Sequence, residues 1–356
     1  MEVSLYALGE RVVVRMDMEL RDRYASILQL YQLAPEHIEE YGNVTKIYTN
    51  QGPYALKKLP SRKLERSNLM YHVQFLREKG FTNFAPIYHA KDGSHVFNDG
   101  EYSYYLMPWL GSAEGQGEEN DQYHKMFQTL ALMHKRTMRE EEVKEEVLQE
   151  HFDTISNRWE EDGALLEKFL VESEAKWYMS PFELQYCTYF HQALRAHEFA
   201  KKQFTEWHEA MKEKEKTRIS FIHGNVSMNH FLFDYQRNGY FISLEDAQFA
   251  TPVQDIVQFY SRSFNTYPIA RNDRYEWYQI YQNNFAFTKE EKLLMFAYLA
   301  YPKTFIKQVQ SYINARNVRN GAQELNDVTM LQQAHWLISN IEYFVAQLQA
   351  AAQKAQ

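Results

Sequence analysis

The chain has 356 residues, of which 45% are hydrophobic and 24% charged. That balance can bury a core and argues against disorder over most of the length. The formal net charge of −8 argues against general binding to nucleic acid or to an anionic membrane surface. The single cysteine, Cys187, excludes an intrachain disulfide and a cysteine-based zinc or iron–sulfur site.

The first twenty residues lack the basic and apolar regions of a secretory signal. The longest apolar run covers residues 293–301, far fewer than the roughly 20 residues that span a bilayer. We therefore expect a soluble intracellular protein without membrane insertion.

The first third of the chain alternates between strand and helix patterns. Alternating β-branched and aromatic residues predict strands, whereas apolar residues at helical spacing predict helices. The predicted strands cover residues 4–16, 38–50, 54–59, 87–90 and 102–108, and the predicted helices cover residues 19–33 and 63–79. Gly80 follows the second helix at the position that glycine prefers just past a helix end.

The remainder of the chain is mainly helical in pattern. Residues 111–120 (GSAEGQGEEN) look like a linker, and we place a lobe boundary at residues 108–112. The charged stretch 139–150 is predicted to be a solvated helix face with pairs such as Glu140–Lys144. Short strand-like runs interrupt the helices at residues 219–224, 231–234 and 240–244. The prediction is an α+β protein with a small lobe (1–108) and a larger, mainly helical lobe (109–356).

Lys57 is the first candidate for chemistry. It follows Tyr54-Ala55-Leu56 on a predicted strand. A lysine held on a rigid sheet among apolar neighbours is how a kinase presents a positive charge to nucleotide phosphates. The alternative is a solvated lysine on a strand face.

The second candidate is a pair of segments, FIHGNVSMNHFLF at 221–233 and ISLEDAQFATPVQDI at 242–256. A strand, a polar loop with glycine and a second strand that ends in carboxylates could form a metal–phosphate site. The alternative is a hairpin with a polar tip. Lys57 and this pair of segments, in this order along the chain, indicate phosphate chemistry more specifically than either signal does alone.

Together these segments resemble the aminoglycoside phosphotransferase and choline kinase group, which has a bilobal protein-kinase-like fold. Within that group the chain resembles the spore coat kinase-like proteins of the CotS type. The resemblance covers nearly the whole chain. Residues 41–58 are similar to the first three strands of the fold, and residues 104–109, which include Met107, are similar to the hinge strand beside the nucleotide.

The resemblance also shows where the chain departs from active relatives. His223-Gly224-Asn225 stands where the group has His-Gly-Asp, so the position of the catalytic aspartate holds Asn225. An amide cannot accept the proton of an attacking hydroxyl, and loss of a general base costs about 10²–10⁴ in rate. For His223 the resemblance implies a structural role in the loop, and Asp255 is expected to accept hydrogen bonds from the loop backbone.

The implied metal ligands are altered as well. The position of the metal-binding asparagine holds His230, with Asn229 one residue early, and that of the metal-binding aspartate holds Ser243. A neutral hydroxyl is a poor Mg²⁺ ligand compared with a carboxylate. If the strand continues past Ser243, Glu245 shares its face and Asp246 points the other way, so a displaced metal site would use Asn229, Glu245 or Asp246.

The first-lobe helix lacks the expected acidic partner for Lys57. Leu69 stands at the expected spacing, and Glu65 lies one turn earlier.

These departures imply a pseudokinase. The resemblance implies a structural or assembly component of the spore coat, made in the mother-cell cytoplasm and partnered by other coat proteins. A surface rich in tyrosine, of which the chain has 26, suits protein contacts. A small-molecule substrate and a nucleic-acid partner are not expected.

Two alternatives use ATP. One is an active small-molecule phosphotransferase, with Lys57 on the phosphates of ATP and a displaced Mg²⁺ site. The other is a sensor that binds ATP through Lys57 without turnover.

Overall fold

A computed structural model describes residues 18–111, 119–269, 272–315 and 320–354. The strand predicted at residues 4–16 lies outside the described residues, as does most of the linker-like segment. The chain divides into two compact units, Met1–Gln122 with Ser227–Ala247 (unit 1) and Tyr123–Val226 with Gln248–Gln356 (unit 2). The predicted lobes are each continuous in sequence, whereas these units are not, and the lobe boundary stays a prediction.

Unit 1 is built around an antiparallel sheet of five strands in the order β1-β2-β3-β5-β4, joined by a separate hairpin of β8 and β9. Its elements are α1 (Ala25–Leu30), β1 (Pro35–Tyr41), β2 (Val44–Thr49), β3 (Gly52–Pro60), α2 (Ser61–Ser67), α3 (Leu69–Glu78), β4 (Phe97–Asn98), β5 (Tyr102–Pro108), β8 (Phe231–Phe233) and β9 (Gly239–Phe241).

The alternation that predicted the strands is visible in their burial. On β2, Thr45 and Ile47 are buried, whereas their neighbours on the strand are more exposed. Ile47 packs in a core cluster with Ile38 of β1 and Leu56 of β3. Because side chains of a strand alternate between its two faces, one face of this sheet forms the core.

Two predictions for residues 60–100 of unit 1 were wrong. Residues 63–79 form two helices rather than one, because Asn68 between them has a left-handed backbone (φ 48°, ψ 33°) that breaks the helical hydrogen bonding. Residues 87–90 are not a strand. Their backbone groups bond to scattered partners, with Tyr88 N–H donating to Leu106 O and Ala90 N–H to Ser94 O.

Unit 2 is mainly helical and contains a three-stranded antiparallel sheet in the order β10-β7-β6. Its elements are α4 (Glu119–Thr137), which begins in unit 1, then β6 (Arg139–Glu142), α5 (Glu145–Glu174), α6 (Pro181–Lys212), β7 (Lys216–Ile222), β10 (Gln248–Ala250), α7 (Val253–Ser263), α8 (Asp273–Asn284), α9 (Lys289–Ala300), α10 (Lys303–Asn314) and α11 (Gly321–Lys354).

The prediction that residues 139–150 form a helix face was also wrong. The first four residues of this stretch form β6 and pair with β7, with Glu140 opposite Arg218, and α5 begins only at Glu145. Glu140 therefore has Lys216 of β7 as its ionic neighbour, at 3.7 Å, instead of Lys144 one helical turn away. Backbone pairing with β7 outweighs the helical preference of a glutamate-rich segment.

Helix starts in unit 2 follow local sequence rules. Thr288 caps α9 in a capping box with Glu291, as its sequence predicts, and Ser180 caps α6 in the same way with Glu183.

Cys187 on α6 is partly buried, and burial raises the pKa of its thiol. Within the described part of the chain, no helix is long and apolar enough to cross a membrane.

Candidate functional site

Lys57 lies in the middle of β3 in unit 1, on the strand where the sequence places it. Its side chain is only 11% exposed, and its ammonium group has two oxygen partners. Nζ donates to Ser243 Oγ at 2.6 Å and lies 2.8 Å from Glu245 Oε1. The charge of the lysine is therefore neutralised inside unit 1.

Glu245 is the centre of this group, because its carboxylate also accepts a hydrogen bond from the hydroxyl of Tyr105. Tyr105 lies directly opposite Lys57 in the β3–β5 pairing. We call Lys57, Tyr105, Ser243 and Glu245 the Lys57 cluster. All four residues are buried.

The electrostatics of the cluster follow from burial and pairing. Burial alone would raise the pKa of Glu245, but the charge of Lys57 and the hydrogen bonds from Lys57 and Tyr105 outweigh it, so that pKa is lowered. Burial, and secondly the negative charge of Glu245, hold the pKa of Tyr105 well above its usual value. Glu245 is thus a carboxylate and Tyr105 a protonated donor at neutral pH.

The backbone at Ser243 explains why Glu245 reaches Lys57. Ser243 is left-handed (φ 65°, ψ 52°), and Leu244–Asp246 form a short 3-10 helix. The strand does not continue past Ser243, so the condition under which Glu245 would share its strand face is not met. The turn sends both the Ser243 hydroxyl and the Glu245 carboxylate to Lys57. Glu65, one turn before the position where an acidic partner of Lys57 was expected, is exposed on α2.

The other candidates of unit 1 lie outside the cluster. Asp246 is 3.0 Å from Lys63 in a partly exposed ion pair. Asn229 and His230 are in a short 3-10 helix ahead of β8, where Asn229 is exposed. Met107 is buried on β5 opposite Ala55.

The donor set around Ser243 does not fit Mg²⁺. This ion needs several carboxylate or water oxygens in octahedral geometry. Ser243 and Glu245 instead share the Lys57 ammonium, whose charge would repel a second cation. In the ranges that the structure describes, no group of three or more His, Cys, Asp and Glu side chains is arranged to hold a metal ion.

Unit 2 contains the loop His223-Gly224-Asn225, which follows the last residue of β7. Asp255 of α7 accepts hydrogen bonds from the backbone N–H of His223 at 2.7 Å and of Gly224 at 2.8 Å. The expectation for Asp255 is confirmed. Gly224 has φ 73°, a conformation that favours glycine. The Nδ1 atom of His223 accepts the N–H of Asn225 at 3.1 Å.

Asp255 is itself held by a buried chain of hydrogen bonds. Nε2 of His134 lies 3.1 Å from Oδ2 of Asp255, and Nδ1 of His134 lies 2.7 Å from the hydroxyl of Tyr281. His134 and Asp255 are fully buried. This chain fixes α7 against α4 and α8 and so fixes the loop.

The side chain of Asn225 is hydrogen-bonded to the guanidinium group of Arg262. Its Oδ1 accepts a hydrogen bond from Nη1 of Arg262 at 2.6 Å. Gln258, one turn earlier on α7, bonds the Gly224 carbonyl at 2.8 Å and the Val226 N–H at 3.2 Å. The loop is thus held firmly but presents an amide and a guanidinium, neither of which removes a proton from a hydroxyl.

The sequence did not single out Tyr105, Gln258 or Arg262. The strand pairing of β3 with β5 could have suggested Tyr105, since opposite residues share a face. Gln258 and Arg262 follow Asp255 at helical spacing on α7 and could have been found in the same way.

Solved structures with similar folds are phosphotransferases. An aminoglycoside phosphotransferase from Alicyclobacillus acidocaldarius matches with TM-score 0.66 and 16% identity, over 91% of this chain and 95% of that chain. The AMP-bound spectinomycin phosphotransferase APH(9)-Ia matches with TM-score 0.57 and 11% identity, over 93% and 98%. Amicoumacin kinase hAmiN, in complex with AMP-PNP and Ca²⁺, matches with TM-score 0.51 and 12% identity, over 93% and 96%.

The fold is therefore the kinase-like phosphotransferase fold, and the prediction of fold class is confirmed. The model of the ecdysteroid kinase-like family matches residues 64–293, more than half of the sequence. The chain belongs to that family. A comparison with curated proteins gives no match. The closer assignment to the CotS type stays a prediction.

Glu245→Gln should destabilise the protein by about 3–5 kcal/mol, because it leaves the Lys57 ammonium buried without a negative partner. Unfolding in guanidinium chloride, followed by circular dichroism, measures this loss. Asp246→Asn is the matched control, since Asp246 also pairs with a lysine at 3.0 Å but is 37% exposed; its loss should stay below about 1 kcal/mol. Equal losses in both variants would contradict the assigned role of Glu245.

The contribution of Glu245 should depend on pH. Its pKa is lower in the folded protein than in the unfolded chain, where it is about 4.5. The carboxylate therefore contributes its full stability above that value, and the contribution is lost as the pH falls through the folded pKa. The stability difference between wild type and Glu245→Gln should be largest near pH 7 and shrink towards pH 3.5. A difference that does not change with pH in urea unfolding would show that the charge of Glu245 is not involved.

Proposed function

We propose that the protein is a pseudokinase of the kinase-like phosphotransferase fold that serves as a structural or assembly component of the bacterial spore coat. The observation that carries the loss of catalysis is the neutralised Lys57. Its ammonium group is bonded to Ser243 and Glu245 and is shielded by Tyr105. An active kinase also pairs this lysine with a glutamate, but the ammonium of Lys57 is bonded to Ser243, at the implied position of the metal-binding aspartate, and to Glu245 two residues on, so it occupies the place where the metal would be held.

The loop in unit 2 supports the same proposal independently. A general base must accept the proton of the attacking hydroxyl. Asn225 is an amide whose oxygen is bonded to Arg262. The nearby carboxylate, Asp255, is buried and accepts the backbone N–H groups of His223 and Gly224. The carboxylate of Asp255 and the amide of Asn225 are therefore both engaged in structural hydrogen bonds.

The coat assignment rests on the resemblance of the sequence to CotS-type proteins, most closely to the member named YsxE. It implies synthesis in the mother-cell cytoplasm, recruitment to the coat and contacts with other coat proteins. The surface offers large aromatic side chains for such contacts, among them Trp177 and Tyr178, which are 90% and 84% exposed between α5 and α6. Exposed tyrosine and tryptophan are favoured at protein interfaces.

An active phosphotransferase is the second candidate, because solved structures with similar folds include aminoglycoside and spectinomycin phosphotransferases. One of them, amicoumacin kinase, is recorded with AMP-PNP and Ca²⁺. By this analogy the chain would bind ATP and Mg²⁺ through Lys57 and through Asn229, Glu245 or Asp246. It would first have to release Glu245 from Lys57.

Turnover separates the two candidates. We expect no ADP release above background from the wild type with millimolar ATP and Mg²⁺. Asn225→Asp should remain inactive too, because it restores a base but leaves Ser243 and His230 at the implied metal-binding positions. ADP release that disappears in Asn229→Ala or Asp246→Asn, with folding intact by circular dichroism, would favour the active enzyme.

Recruitment to the spore surface tests the proposed role in the spore coat. A fluorescent fusion produced in a spore-forming host should collect at the spore surface, and the Lys57→Ala variant should collect there equally. Diffuse fluorescence in the mother cell with the wild-type fusion would contradict the coat assignment. Loss of recruitment in Lys57→Ala alone, together with ATP binding by the wild type, would favour the nucleotide sensor.

A further inference from the structure

A cavity of about 580 Å³ lies in unit 2 beside the first half of β7. It is bounded by β6, by the first turns of α5, by the end of α6 and by α9. The loop His223-Gly224-Asn225 follows the other end of β7, and neither the loop nor Asp255 is among the residues that line the cavity. The volume lies in the range of small-molecule sites, about 300–1,000 Å³.

Large apolar side chains form much of the wall, namely Val147, Leu148, Trp207, Met211, Leu294 and Tyr298. Trp207 is only 7% exposed, and its ring is stacked on Phe204 with centroids 5.1 Å apart. Because Phe204 stacks on this ring and His151 packs edge-on against it, the ring forms a rigid, preformed part of the apolar wall. Such a surface binds a ring system at little cost in side-chain entropy.

Most charged side chains of the cavity have a partner of opposite charge, and the two others that line it, Glu142 and Lys144, are opposite in sign to each other. Lys214 lies 3.2 Å from Glu290, and Arg218 bonds the Glu291 carboxylate through two nitrogens. On β6, Glu140 lies 3.7 Å from Lys216, and Glu141 lies 2.8 Å from Arg139. A charged ligand would have to lose water without gaining a new counter-charge, which is unfavourable. The lining therefore favours a neutral ligand.

One uncharged polar pair is placed among these apolar groups. Nε2 of His151 lies 3.0 Å from the hydroxyl of Tyr298. His151 keeps access to solvent, yet burial of part of its ring lowers its pKa. At pH 7 the pair is neutral and can exchange a hydrogen bond with a ligand hydroxyl or carbonyl.

We propose that this cavity binds a neutral small molecule built of rings, with a hydroxyl or carbonyl group that hydrogen-bonds to the His151–Tyr298 pair. The ring system lies against Trp207 and the apolar side chains of α5 and α9. This site is separate from the Lys57 cluster and from the loop of unit 2, and it does not depend on the proposed function.

The probe for the test is 6-propionyl-2-(dimethylamino)naphthalene, a neutral two-ring ketone whose emission reports the polarity of its surroundings. Titrated into the full chain, it should bind saturably with one site per molecule. Val147→Trp should weaken its affinity at least tenfold, because the added indole fills the mouth of the cavity. Val147 is 59% exposed, so the fold should tolerate the change.

Val171→Trp is the matched control, because Val171 lies on the same helix, is 66% exposed and does not line the cavity. Its affinity for the probe should stay within twofold of wild type. Tyr298→Phe keeps the ring but removes the hydroxyl, and it should shift the emission of the bound probe to shorter wavelength. The proposal is overturned if the wild type shows no saturable binding, if Val147→Trp binds as tightly as Val171→Trp, or if Tyr298→Phe leaves the emission unchanged.

Discussion

A lysine ammonium that folding removes from water must gain a negative partner, because the desolvation penalty is several kcal/mol per ion. In unit 1 this requirement ties three segments together. Lys57 comes from β3, Tyr105 from β5, and Ser243 and Glu245 from the turn after β9. Substitution of any one residue of the Lys57 cluster would remove a hydrogen-bond or ionic partner from a buried neighbour. An active kinase pairs this lysine with a glutamate and uses its charge for nucleotide phosphates, whereas here both oxygen partners of the lysine come from the turn after β9.

In the loop of unit 2, the hydrogen bonds that hold the backbone are present, but the residue at the tip is an amide. Asp255, held in turn by His134 and Tyr281, fixes the backbone of His223 and Gly224. That scaffold is what a catalytic loop requires, yet Asn225 at its tip is an amide bonded to a guanidinium. The proposed function accounts for this arrangement, because a pseudokinase keeps the buried network that positions the loop and uses the fold for its surfaces.

Periodicity predicted the α+β class and the strand that carries Lys57, because these depend on local sequence, whereas the kinase-like fold and the role of Asp255 were implied by the family resemblance. Sequence patterns failed where long-range pairing overrides local preference. The glutamates of β6 form a strand because β7 offers backbone partners. The left-handed Ser243 could not be foreseen, since non-glycine residues rarely adopt that conformation. That single turn decides which carboxylate meets Lys57, and it lies 186 residues away along the chain.

Calorimetric titration with ATP, with and without Mg²⁺, tests the central claim that the charge of Lys57 is committed to Glu245. The wild type and Lys57→Ala should both show no binding heat at millimolar nucleotide, since Ser243 and Glu245 hold the ammonium in the wild type and the variant has none. Binding by the wild type that requires both Mg²⁺ and Lys57 would contradict the account. It would mean that Glu245 leaves the lysine when nucleotide arrives.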